Sequence, residues 1–504
     1  MLFELAAARP DAPALDDLTR TRTRGELVDR ATRVAHLLRD SFGVGPDDHA
    51  AMVVGNRVEV VELVLGSILA AAWLTPVNWH LTAEEIAYLL DDSGARVVFT
   101  DPDHEDTVRS VAEGRPVVVV GDELDRLLAG APDTPVELSG PPGATMCYTS
   151  GTTGRPKGVK RARAASIRAS LAGLDDYGRA IGLDGSGPHL VTGPLYHAAP
   201  LGFALMDLGN GAPLVIMPRW DEARALELLA DRGVRTTHLV PTMFVRLLRL
   251  PEEVRAGFDP SGLGTVLHGA APITPAVKRR MIDWWGPVLV EYWGGSEGGV
   301  VTLVDSPTWL ARPGTVGRAI RGHEVFAVGP DGRRLGSDQV GTLYARSPAG
   351  DEVFSYHRDP DTTARAFLRS GTYTLGDVGR VDAEGFVYLS DRLANTIISG
   401  GVNIYPAEIE AVLAEHPAVG DVAVFGIPDD EWGESVAAAV EPAPGVAPGP
   451  ALEVELAAFA RRRLAGFKVP RTFVFEAHLP RTPTGKLAVR VLRDRYWEGR
   501  DRRI

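Results

Sequence analysis

Apolar residues along this chain come in two rhythms. Short β-branched runs, Val97–Thr100, Val117–Val120, Leu214–Met217, His238–Val240, Thr265–Leu267 and Val288–Val290, predict buried strands. Between the last three lie Met243–Leu250 and Pro275–Trp285, where apolar positions recur at helical spacing and a proline stands at the second segment's start. Strand, helix, strand at this cadence predicts βαβ units and mostly parallel sheets flanked by helices, an α/β body. After about Asp391 the pattern restarts with a helix at Pro406–Leu413, a strand at Val422–Phe425 and a Pro/Gly/Ala-rich loop at 441–450. We therefore expect a large N-terminal body over residues 1–391 and a small, mobile α+β C-terminal domain over 392–504. The longest apolar run, Leu63–Leu74, is interrupted by Gly66 and Ser67. It is too short to cross a bilayer and predicts a buried helix.

Composition narrows the class. With 504 residues, 45% hydrophobic and 24% charged, the chain can bury a substantial core and is not of the disordered type. Its 53 basic and 66 acidic residues give a net charge of −13, and the charges are dispersed, which disfavours nucleic acid as a partner. The single cysteine, Cys147, rules out an internal disulfide and is expected as a small buried strand residue. No basic flank and apolar stretch follow Met1, so no secretory signal is expected and the protein is placed in the cytoplasm. A homodimer is left open.

The densest chemistry lies in Tyr148-Thr149-Ser150-Gly151-Thr152-Thr153-Gly154-Arg155-Pro156-Lys157-Gly158-Val159. Glycines 151 and 154 let several backbone N–H groups face one anion, the hydroxyls of Thr149, Ser150, Thr152 and Thr153 add donors, and Lys157 adds a positive charge. Such a loop is built to cradle a polyphosphate. It lacks the glycine spacing before Gly-Lys-Ser/Thr that defines the P-loop of kinases and GTPases.

This segment resembles the signature loop of the adenylate-forming superfamily, which includes acyl-CoA synthetases, peptide-synthetase adenylation domains and luciferases. Further matches follow in order: Gly269-Ala270-Ala271-Pro272 resembles the adenine-contacting turn, Glu291–Gly298 the second nucleotide motif, and Leu375-Gly376-Asp377 the ribose-binding stretch. Asp391-Arg392 resembles the hinge, Ser399–Pro406 the coenzyme A loop, and Pro483-Thr484-Gly485-Lys486 the C-terminal catalytic loop. The resemblance implies an acid–thiol ligase using ATP, Mg²⁺ and coenzyme A on a small carboxylic acid. It implies catalytic roles for Lys486, Glu297 and Ser296, with Glu297 and Thr152 at Mg²⁺. Lys486 would bridge carboxylate and phosphate, Trp293 would offer its face to adenine, and Asp377 would accept from both ribose hydroxyls. Arg392 belongs to the hinge, Gly400 and Gly401 would admit the pantetheine arm, and Lys468 would serve the nucleotide phosphates. His197 and Gly295 would line the acyl pocket, where the small residues Ala198, Ala199 and Gly202 suit a bulky apolar acid.

Two other readings compete. Gly294-Gly295-Ser296-Glu297-Gly298 also fits the Gly-x-Ser-x-Gly elbow of α/β-hydrolases, but that elbow needs a helix after the serine and here a β-branched run follows. A non-catalytic nucleotide-binding protein is the second. Within the superfamily, Ala394, Asn395, Leu375, Trp293 and Ser296 depart from the common residues. A ligase that mainly performs the thioester-forming half on a supplied adenylate therefore stands as an alternative.

Overall fold

The computed structural model describes residues 2–149, 156–271, 273–348, 350, 352–392, 395–399, 402–429, 432–481 and 487–498, without the side chains of Asp391, Arg392 and Asn403. The chain folds as an α/β body with helix-flanked parallel sheets and a separate C-terminal α+β unit, as its pattern predicts.

Nine strands form the central sheet. Five of its neighbouring pairs, linking Pro13–Asp16, Leu214–Ile216, His189–Val191, Thr236–Leu239, Thr265–His268 and Leu289–Gly295, are parallel, and antiparallel strands finish both edges. A second sheet is parallel throughout, in the order Val117–Val119, Ala95–Thr100, His49–Val53, Trp73–Pro76, Ala144–Thr145. Their helices start where the sequence supplies caps: Thr23 with Glu26 and Thr82 with Glu85 form reciprocal capping boxes, and Thr274 caps Pro275–Trp285. The Leu63–Leu74 run departs from expectation. A helix covers Val58–Leu69, Ala71 turns with φ +63°, and Trp73–Pro76 is already a strand. Periodicity could not separate the two, because a wholly buried helix and a parallel strand present the same unbroken apolar face.

A three-stranded antiparallel sheet stands between these bodies. Cys147–Thr149 pairs with Lys157–Arg161, which pairs with Phe354–Tyr356. Cys147 is buried in it. A further antiparallel sheet ends with Val387–Arg392 against Thr372–Val381. The next strand, Ile397–Ser399, belongs to the C-terminal sheet, and we place the division between the two units there. One bond across this division runs from Arg249 Nη2 to the carbonyl of Gly420, 2.9 Å.

Candidate active site

Gly295, Ser296 and Glu297 stand at the end of the strand Leu289–Gly295. Its last residues make a hairpin with Gly299–Asp305 through Ser296 and Glu297. Ser296 and Glu297 thus lead through a turn into a strand, and no helix follows the serine. Gly298 is needed in this turn because a Cβ there would lie 2.0 Å from the Tyr373 hydroxyl. Glu297 accepts a hydrogen bond from the Tyr356 hydroxyl at 2.9 Å. Gly295 lies close by, since a Cβ on it would sit 3.0 Å from Glu297 Oε2 and 3.2 Å from Leu375.

Asp377 is 6% exposed and accepts a hydrogen bond from the indole N–H of Trp293 at 2.8 Å. Trp293 is 5% exposed and packs among Val159, Val301 and Tyr373. Its ring packs into the core at the edge of the site. It positions the carboxylate.

Thr149 and Lys157 lie opposite each other on the antiparallel strands Cys147–Thr149 and Lys157–Arg161. Lys157 Nζ reaches Asp359 Oδ2 at 2.7 Å and Thr362 Oγ1 at 2.6 Å. The bond from Lys157 and the backbone N–H of Thr362 hold the Asp359 carboxyl well below the usual carboxylate range. Asp359, Thr362 and Tyr356 were not foreseen, because their partners lie far away in sequence and only strand pairing brings them together.

Gly269 follows the strand Thr265–His268, and a Cβ there would fall 2.6 Å from the Tyr292 carbonyl and 2.8 Å from its ring. Ala270 takes φ +63° and Ala271 completes the turn. Behind it, Tyr292 shares a 3.1 Å hydrogen bond with His238 Nε2, and both rings pack on Phe203. His197 stands at the head of the helix Ala198–Asn210 that carries Phe203, beside the Tyr196 ring.

Lys468 lies apart from this group and pairs with both oxygens of Glu408 at 2.7 Å. Ser150, Gly151, Thr152, Thr153, Gly154, Gly400, Gly401, Lys486 and the side chain of Arg392 lie outside the described residues. Among the described residues no three His, Cys, Asp or Glu side chains converge as a metal site, and no helix is long and apolar enough to cross a membrane.

Helix-flanked parallel sheets with a separate C-terminal α+β unit are the architecture of an adenylate-forming enzyme. The AMP-binding enzyme model matches residues 2–354 and the AMP-binding enzyme C-terminal domain residues 408–486, so the chain belongs to the AMP-binding enzyme family, as an acid–thiol ligase. It is 32% identical to the fatty acid–[acyl-carrier-protein] ligase ScoC of Streptomyces coeruleorubidus over 99% of this chain and 96% of that protein. It is 34% identical to the feruloyl-CoA synthase of an Amycolatopsis species, over 97% of each. Among solved structures, ATP-bound MatB from Rhodopseudomonas palustris superposes with a TM-score of 0.85 at 28% identity, covering 98% of both chains.

Proposed function

We propose that this enzyme activates a bulky apolar carboxylic acid with ATP and passes the acyl group to the thiol of coenzyme A. In the first step the carboxylate oxygen bonds to the α-phosphorus and pyrophosphate leaves. In the second the thiol sulfur bonds to the acyl carbon, AMP leaves and the thiol proton is lost. Two anions meet in the first step, so the site must neutralise charge where it develops.

The observation that carries this reading is the convergence of Glu297, Asp377 and Lys157 around one hairpin, each held by a dedicated partner: Tyr356, Trp293 and Asp359. Groups fixed in this way need no reorganisation when charge appears. Asp377 would accept from the ribose hydroxyls and Lys157 would exchange Asp359 for a phosphate. Glu297 would supply a hard oxygen that suits Mg²⁺, with Thr152 and phosphate oxygens as further ligands. Lys486, from the C-terminal unit, would bridge carboxylate and phosphate. That unit would then turn about the Asp391-Arg392 hinge and bring Gly400 and Gly401 to the pantetheine arm. The substrate class is supported by an open space at Gly202, where a Cβ would meet nothing within 4 Å, on an apolar helix beside His197. Feruloyl and fatty acids, named for the relatives, fit the same description.

The test is a panel of fatty and aromatic acids with ATP, Mg²⁺ and coenzyme A, following AMP and thioester together with acid-dependent pyrophosphate exchange. Stoichiometric AMP and thioester from a bulky apolar acid is the expected result. Absence of exchange, with thioester formed only from synthetic adenylate, would replace this reading by the thioester-forming alternative.

A further inference from the structure

The three-stranded sheet has two faces, and the site uses only one. Side chains alternate along a strand, so Val159, Phe354 and Tyr356 face the cluster containing Trp293 and Tyr373, while Tyr148 and Lys160 face the other way. On that far side Tyr148 donates to Asp92 Oδ2 at 2.6 Å, and Lys160 lies over the Trp73 ring at 4.9 Å, against the parallel sheet of His49–Val53 and Trp73–Pro76.

This seam gathers three cations, Lys160, Arg163 and Arg358, against two carboxylates, Asp47, which Arg163 holds, and Asp92, which accepts from Tyr148. Arg163 also lies over Trp73, at 4.9 Å, but is satisfied by Asp47 and the carbonyl of Pro142. Among the described residues no carboxylate reaches Lys160 or Arg358 within ion-pair distance. The guanidinium of Arg358 donates to the carbonyl of Asp91, at 3.3 Å. His49, 7% exposed, lies 5.1 Å from the His357 ring, and its Nδ1 is buried with no hydrogen-bond partner. His357 Nε2 is 3.0 Å from the carbonyl of Asp92. Burial and the neighbouring charge of Arg163 and Arg358 depress the Lys160 ammonium, which Asp47 only partly offsets. An ammonium left half-buried without a carboxylate is costly to the fold unless something else neutralises it. Cations spread between two sheets, with a buried imidazole nitrogen to spare, match the tetrahedral oxygens of a phosphate.

We propose that the seam between Lys160, Arg358 and His49 is a second anion site, selective for a phosphate group and separate from the nucleotide site. It is separated from Lys157 by the thickness of one sheet, yet Arg358 directly precedes Asp359, the partner of Lys157. Arg358 itself takes the left-handed φ of +55°, a conformation that tertiary contacts must hold.

Isothermal calorimetry tests this on the full chain saturated with Mg²⁺ and α,β-methylene-ATP, so that the nucleotide site is occupied. Inorganic phosphate, pyrophosphate and adenosine 3′,5′-bisphosphate are titrated in separate arms, and the tightest names the source of the phosphate. One-to-one binding is expected in at least one arm. It should weaken at least tenfold in K160Q and R358Q, survive largely in R358K, and fall as KCl is raised. R358Q changes an exposed side chain, so it decides the matter if K160Q disturbs the packing on Trp73. Absence of saturable binding in all three arms, or binding unchanged in R358Q, overturns the site.

Discussion

The Trp293 indole holds the Asp377 carboxylate still, which the proposed ribose contact requires. The N–H to Oδ2 distance of 2.8 Å in a 5–6% exposed environment makes this a charge-assisted bond with little competition from water. Losing it should cost roughly 1.5 kcal/mol, about tenfold. Trp293→Phe is therefore expected to raise KM for ATP about tenfold while changing kcat little in pyrophosphate exchange. An unchanged KM would mean that the indole serves packing alone. A second residue acts through protonation. Burial first, then Lys160, draws the His49 imidazole down to about 3, whereas an unfolded chain titrates near 6.5. Between these values the unfolded state holds a proton that the folded state refuses. Stability from this group is full above pH 6.5 and is lost as pH falls towards 3. The loss amounts to roughly 3 kcal/mol at pH 4 relative to pH 8. Thermal melts of His49→Asn should show a shallower acid limb than the parent; parallel limbs would contradict it.

At the scale of elements, the hairpin Leu289–Gly295/Gly299–Asp305 is tied to the strand Thr372–Val381 by the Trp293–Asp377 bond and by a close approach at Gly298. A methyl at Gly298 would come within 2.0 Å of the Tyr373 hydroxyl, four residues before Asp377 on the same strand. Gly298→Ala must push the strands apart, at about 1–3 kcal/mol of overpacking, and should reduce exchange activity through displaced Asp377 and Glu297. The Tyr373 hydroxyl is buried without a hydrogen-bond partner. Tyr373→Phe should therefore raise the melting temperature alone and recover part of the Gly298→Ala loss, which a double-mutant cycle of melts would reveal. The same elements show what a sequence can disclose. Pro275–Trp285 was legible because Thr274, Pro275 and an amphipathic spacing all say helix. The motif residues were legible because their chemistry is local. The Trp293–Asp377 bond was not legible, since sequence neighbours cannot tell which distant carboxylate an indole N–H will meet. Tyr356 and Asp359 stayed hidden because only register, Tyr356 opposite Val159, carries them to Glu297 and Lys157.

At the scale of the whole molecule, the proposed function has two half-reactions with different needs share one C-terminal unit, which would make contacts across the division kinetic quantities. Arg249, at the end of the helix Pro241–Leu248, donates to the Gly420 carbonyl, which opens the strand Val419–Asp429 of that unit. Such a bond exists in one orientation of the unit and must break in any other, so it biases the equilibrium between them by its own free energy. For an exposed charged donor on a carbonyl this is about 0.5–1.5 kcal/mol, or two- to tenfold in population. Removing it by Arg249→Ala should slow whichever half-reaction this orientation serves and leave or quicken the other. Pyrophosphate exchange and thioester formation from synthetic acyl-adenylate, measured on the same preparation, should therefore diverge by two- to tenfold. A substitution that merely loosened the fold would depress both alike, and equal losses would remove Arg249 from any part in setting the orientation.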